Sequence, residues 1–146
     1  MTLHFFTIGY EGTTVPDFIH ALQAADVRQL VDIRALPLSR RPGFSKSALR
    51  AAVEEVGISY LHLRALGTPA AGREAARKGR QQELERIYRS QLELPEAIAA
   101  TAQLRALATE GATALLCFER EPAGCHRSLW LRWEAPEAAV TDLFAG

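Results

Sequence analysis

A chain of 146 residues has the size of one domain with a single core, and residues 1–146 are read as one. Its 48% hydrophobic and 23% charged residues exclude global disorder, and no apolar run reaches the roughly 20 residues that span a bilayer, so no membrane partner is expected. The formal charge is zero, yet the span from Arg34 to Arg80 holds ten basic residues against three acidic ones, a net +7 that leaves −7 elsewhere and can focus a positive field on one face.

The start, Met1-Thr2-Leu3-His4-Phe5-Phe6, lacks the basic opening and small-residue cleavage site of a secretory leader, so a cytoplasmic location is expected. Leu3 to Ile8 is apolar and aromatic and runs into Gly9-Tyr10-Glu11-Gly12, which predicts a first strand and a turn. Thr14 caps a helix predicted over Val15 to Ala25, with Pro16 in its first turn. Val27 to Ile33 reads as the second strand, ending at Asp32 and Arg34. The run Ala35 to Phe44 has two prolines and a glycine and is longer than a strand-to-helix joint needs, a length that usually marks function or disorder.

Ser45 or Ser47 caps a second helix to about Val56, and Ile58 to Leu63 is the third strand. A charged stretch from Arg73 to Leu92 carries the stripe Leu84, Ile87, Tyr88 and Leu92, and another helix is predicted from Glu96 to Thr109. Ala112 to Phe118 is the most apolar strand and is expected at the sheet centre. A helix from Cys125 to Trp133 follows, then a last edge strand between Glu137 and Phe144. Strands alternating with helices predict a three-layer α/β/α sandwich on a mainly parallel, Rossmann-like sheet of about five strands. Gly9-Tyr10-Glu11-Gly12 fits neither the dinucleotide nor the triphosphate glycine loop, and no cofactor is expected.

In such sheets, ligands bind outside the carboxyl ends of the strands. Four strand ends here carry chemistry: Gly9 and Tyr10; Asp32 and Arg34; His62; and Cys117 with Glu119, followed by Cys125, His126 and Arg127. These are the only two cysteines, too few for a disulfide scaffold, and a reducing compartment would keep them as thiols. A thiol in the first turn of a helix feels the positive end of the helix dipole, and His126 and Arg127 add to that, which makes Cys125 the sharper nucleophile candidate. Cys117 sits in an apolar strand and reads as core. Asp32 and Arg34 read equally as an ion pair that closes the strand end. The Cys117–Cys125 spacing does not suit the usual closed zinc pairs, and adjacent residues such as Cys125 and His126 rarely point at one ion, so no metal is expected. Neither cysteine has an arginine at the spacing of a phosphatase-type loop.

Several of these residues occur in a recognisable order. They are Thr7-Ile8-Gly9-Tyr10; Val31-Asp32-Ile33-Arg34 with Pro37, Ser39-Arg40 and Phe44; Tyr60 and His62-Leu63 with Leu66-Gly67; and Leu116-Cys117-Phe118-Glu119 with Cys125-His126-Arg127-Ser128. Over nearly the whole chain this resembles the bacterial and archaeal family known as domain of unknown function 488. The resemblance implies an α/β sandwich with a shared site that includes Gly9, Tyr10, Asp32, Arg34, Ser39, Phe44, Tyr60, Gly67, Cys117, Glu119, Cys125, His126 and Arg127.

The leading expectation is an enzyme with a thiol site at the carboxyl edge of the sheet. Cys125 or Cys117 is its nucleophile, His126 or His62 its acid/base, and Asp32 orients Arg34 or acts as a base; Glu119 stands with them. Arg34, Arg40, Arg41 and Arg127 hold an anionic substrate, a phosphate-bearing nucleotide or nucleic acid. The rival is a non-catalytic nucleic-acid or nucleotide-binding module, with Phe44 and Tyr60 stacking bases. A thiol redox or metal sensor is the third reading.

Overall fold

The computed structural model describes residues 3–146; Met1 and Thr2, part of the stretch read above for a leader, lie outside the described residues. Six α-helices and five parallel strands form one α/β fold among these residues. The strands are β1 (His4–Gly9), β2 (Gln29–Asp32), β3 (Ser59–His62), β4 (Thr113–Cys117) and β5 (Ala139–Leu143), in the order β3-β2-β4-β1-β5. β4 is central and buried at every position, because an apolar strand covered on both faces has no polar side to show. β5 is the short edge strand at the far end, next to β1.

Helix starts follow local chemistry. At α1 (Val15–Ala24) the Thr14 hydroxyl accepts the Asp17 N–H at 3.3 Å, and Pro16 occupies the first turn, where its missing N–H costs nothing. α2 (Lys46–Glu55) begins after Ser45, whose hydroxyl caps no helix N–H: it accepts the Ser39 N–H at 3.0 Å instead. The charged stretch after residue 70 is two helices, α3 (Ala70–Arg77) and α4 (Gln81–Leu92), broken at Gly79, whose φ of +70° belongs to the left-handed region. α5 (Pro95–Glu110) and α6 (His126–Glu134) complete the set, and Cys125 is the residue just before α6.

Strand alternation sorts the core into two. Leu30, Ala114, Leu116 and Ile8 face α1 and α2. Val31, Ile33, Leu115 and Phe5 face the other side, with Tyr88, Leu104 and Trp130 from α4, α5 and α6. Cys117, two residues beyond Leu115, therefore looks toward α6. The register sets Gly9 beside Cys117, and Asp32 beside both Leu116 and His62, so four chemically loaded strand ends lie level at one edge. No helix among the described residues is long and apolar enough to cross a membrane.

Candidate functional site

The end of β2 forms one half of the site. Asp32 accepts two bonds from Arg34, Nε to Oδ1 at 2.9 Å and Nη2 to Oδ2 at 2.7 Å, while Arg34 Nη1 donates to the Phe44 carbonyl at 2.7 Å. The Tyr60 hydroxyl donates to the same carboxylate, and His62 Nε2 donates to the Arg34 carbonyl at 2.7 Å. Burial pulls the Arg34 guanidinium down, but the Asp32 carboxylate reverses this and holds it above its ordinary range. Burial, and then the same carboxylate, pushes the Tyr60 phenol up. Asp32 is therefore fully engaged in orienting Arg34, whose face lies 5.2 Å from the centre of the Tyr10 ring.

The joint between β4 and α6 forms the other half. Arg127 is completely buried, with Nη1 2.6 Å from the Glu119 carbonyl, 2.8 Å from Cys117 Sγ and 3.6 Å from Cys125 Sγ. Nη2 reaches the Arg120 carbonyl at 3.2 Å, and Nε has no partner. The two sulfurs meet as a disulfide pair, with Cα atoms 7.7 Å apart. Glu119 Oε2 lies 3.5 Å from Cys117 Sγ. His126 donates from Nε2 to the Ile33 carbonyl at 2.8 Å, which assigns the lone pair to Nδ1, 3.9 Å from Cys125 Sγ. Burial holds this imidazole below its ordinary pKa. Burial likewise lowers Arg127, and Glu119, Asp142 and Glu121 oppose that from nearby.

Between the halves lies a cavity of about 500 Å³, with Tyr10, Arg34, Glu119 and His126 in its wall. Arg73 and Arg77, one turn apart on α3, add two cations to it. Arg73 anchors to the Thr68 carbonyl at 2.8 Å, and Arg77 pairs with Glu74 at 2.5 Å. Cys117 and Cys125 are not in its wall, but their sulfurs lie 3.5 Å from Glu119 Oε2 and 3.9 Å from His126 Nδ1, and both of those residues line it.

Several expectations change here. Cys117 is fully buried, as its apolar strand implies, and its sulfur is also the one nearest Arg127. Cys125 and His126, although adjacent, do converge, since both sulfurs and Nδ1 lie within 4.8 Å of one another. The Arg127 guanidinium, however, rests against both sulfurs and puts a positive charge where a cation would sit. Phe44 and Tyr60 cannot stack on bases, because both are buried; Phe44 packs on Tyr10 with ring centres 4.8 Å apart. Asp32 does not stand free as a base. Ser39, Arg40 and Arg41 lie outside the cavity wall: Arg41 Nε donates to the Thr13 carbonyl at 2.8 Å, Ser39 Oγ accepts the Arg41 N–H at 3.0 Å, and Arg40 is exposed. Gly9 serves through its missing side chain, since a Cβ there would collide with the Glu119 carbonyl. Arg73 and Arg77 were missed because the strand-end rule does not reach helix faces; their four-residue spacing within the basic span was the available signal.

This is an α/β protein with a disulfide-paired couple of cysteines, an imidazole and a guanidinium at the carboxyl edge of its sheet. It belongs to the family described as Domain of unknown function DUF488, which matches residues 14–133 and leaves β1 and β5 outside the matched span. No curated protein and no solved structure matches the chain.

Proposed function

We propose that this protein is an enzyme acting on an anionic small molecule bound in the cavity, with Arg73, Arg77 and Arg34 holding the anion. Once the Cys117–Cys125 disulfide is reduced, one cysteine of the pair supplies the nucleophile and His126, in the wall, the base. The observation that carries this reading is a cavity of about 500 Å³ whose wall holds three arginines, Arg34, Arg73 and Arg77, together with Glu119 and His126. That volume suits a small-molecule ligand, and convergent charges in a concave site are what an ionic substrate requires. Asp32 is a positioning residue, since both its oxygens are spent on Arg34 and Tyr60.

The test has two stages. Inorganic phosphate, pyrophosphate and mononucleotides are titrated against the wild type and Arg73→Ala by thermal shift and calorimetry. At least one anion should raise Tm, with affinity about tenfold weaker in Arg73→Ala, equivalent to about 1.4 kcal/mol. Any anion that binds is then incubated with the protein and followed by mass spectrometry, with Cys117→Ser as the control. No binding by any anion sinks the reading, and binding without turnover reduces the protein to a binding module.

A further inference from the structure

We propose that Cys117 and Cys125 form a redox pair that reduces hydrogen peroxide, with Cys117 as the attacking thiolate and Arg127 as its counter-ion. This activity goes beyond the anion reading and does not require it.

Arg127 carries the inference. Its side chain is inaccessible to water, and no carboxylate among the described residues is ion-paired with it. A buried cation is costly unless an anion meets it, and a guanidinium stays protonated in proteins. The acidic groups it touches are the two thiols, Cys117 at 2.8 Å and Cys125 at 3.6 Å. In the reduced protein the nearer sulfur is therefore the thiolate. The groups facing Cys117 otherwise oppose or ignore that charge: Glu119 from the following loop at 3.5 Å, and Gly9 from β1, which contributes no side chain. The Glu119, Asp142 and Glu121 carboxylates also favour the charge on Arg127, without an ion pair or hydrogen bond to it. Cys125 keeps its proton, because the Nδ1 lone pair of His126 stands 3.9 Å from its sulfur as an acceptor.

The second observation is that the sulfurs already meet, so an oxidised Cys117 has its resolving partner in place. The third is burial: Cys117 is 0% and Cys125 1% exposed, so peroxide meets the sulfur only in a local opening of the covering loop, and a small oxidant needs a smaller opening than a bulky one. The Cys117 thiolate attacks one peroxide oxygen; an S–O bond forms, the O–O bond breaks, and the departing hydroxide takes a solvent proton to become water. Cys125 then passes its proton to His126 and attacks the Cys117 sulfur. The S–S bond forms, the S–O bond breaks, and the second hydroxide leaves as water with the proton from His126. Two thiols lose two electrons and one peroxide becomes two waters; a dithiol reductant restores the pair by exchange.

The reduced protein is treated with one equivalent of hydrogen peroxide and its thiols are counted by maleimide mass shift. Both thiols should disappear together, as a Cys117–Cys125 disulfide that dithiothreitol reverses. In Cys125→Ser, Cys117 should stop at the sulfenic acid and be trapped by dimedone, and its oxidation rate should titrate well below the ~8.5 of a free thiol. In Cys117→Ser, Cys125 should react at least tenfold more slowly. Arg127→Met should move the Cys117 rate profile up toward ~8.5. If that variant does not fold, the Cys125→Ser profile decides alone. Labelling of Cys125 in place of Cys117, or a Cys117 profile centred near ~8.5, overturns the proposal. Phosphate-induced stabilisation is read on the same samples, so anion binding beside unreactive thiols overturns this inference and leaves the previous reading intact.

Discussion

Asp32 grips Arg34 with both carboxylate oxygens, at 2.9 and 2.7 Å, and the two side chains are 0% and 6% exposed. The pair closes the end of β2 and pins the following loop through the Phe44 carbonyl. Removing one member leaves the other buried without compensation, which costs about 3–5 kcal/mol. Asp32→Asn should therefore lower the urea midpoint sharply, whereas Tyr60→Phe, which deletes one hydrogen bond to the same carboxylate, should cost about 1 kcal/mol. Equal costs for the two variants would show that the ion pair does not organise this edge.

Gly9→Ala tests the close approach of β1 to the thiol loop. Its Cβ would meet the Glu119 carbonyl, a backbone atom that cannot swing aside as a side chain would. Overpacking of this kind costs about 1–3 kcal/mol or more. The same variant should disturb Arg127, which binds that carbonyl. Thermal melts, and Cys117 alkylation rates in the reduced protein, should both change, and an unchanged melt would refute the packing.

The pH dependence of stability has a defined direction at His126. Burial holds its folded pKa below the ordinary value. As pH falls, the unfolded chain takes up the proton first, near ~6.5, while the folded protein resists it until lower pH. The unfolded state then binds more protons, so stability present above that range declines through it and levels off once both states are protonated. Urea midpoints from about pH 7.5 to about pH 5.5 should fall, and His126→Gln should flatten the slope. A slope unchanged in the variant would assign the effect to other groups.

The basic span divides into residues that face the cavity and residues that do not. Arg73→Ala should weaken phosphate binding about tenfold, about 1.4 kcal/mol. Arg40→Ala should leave it unchanged, since Arg40 is exposed and outside the cavity wall. Parallel calorimetric titrations check both, and a matching loss in Arg40→Ala would move the anion site to the outer loop.

How far the sequence reached depends on the range of the interactions. The central β4 was legible because five consecutive buried positions admit only apolar side chains or ones matched within the core. Asp32, Arg34 and Tyr10 were legible from the rule that ligands meet parallel sheets at their carboxyl ends. The break at Gly79 was hidden because charged residues flank it on both sides and carry no periodic signal. The burial of Cys117 was legible from its apolar strand, but its contact with Arg127, ten residues away on another element, was not. Likewise, nothing local in Ser39-Arg40-Arg41 says that Arg41 folds back onto the Thr13 carbonyl.

The carbonyl of Phe118 accepts two amides from the end of β1, Tyr10 N–H at 3.1 Å and Glu11 N–H at 2.9 Å. The Arg120 N–H returns a bond to the Glu11 carboxylate at 3.1 Å, and its guanidinium holds the Ala145 carbonyl at 2.7 Å. Any excursion that uncovers Cys117 and Cys125 must first unlatch this clasp. Exposure of the sulfurs is thus a local opening with its own free energy, separate from global unfolding. Deuterium uptake at the Tyr10 and Glu11 amides and modification of the thiols by bulky maleimides should share one opening constant, making each cysteine a clock for the movement of the loop that covers it.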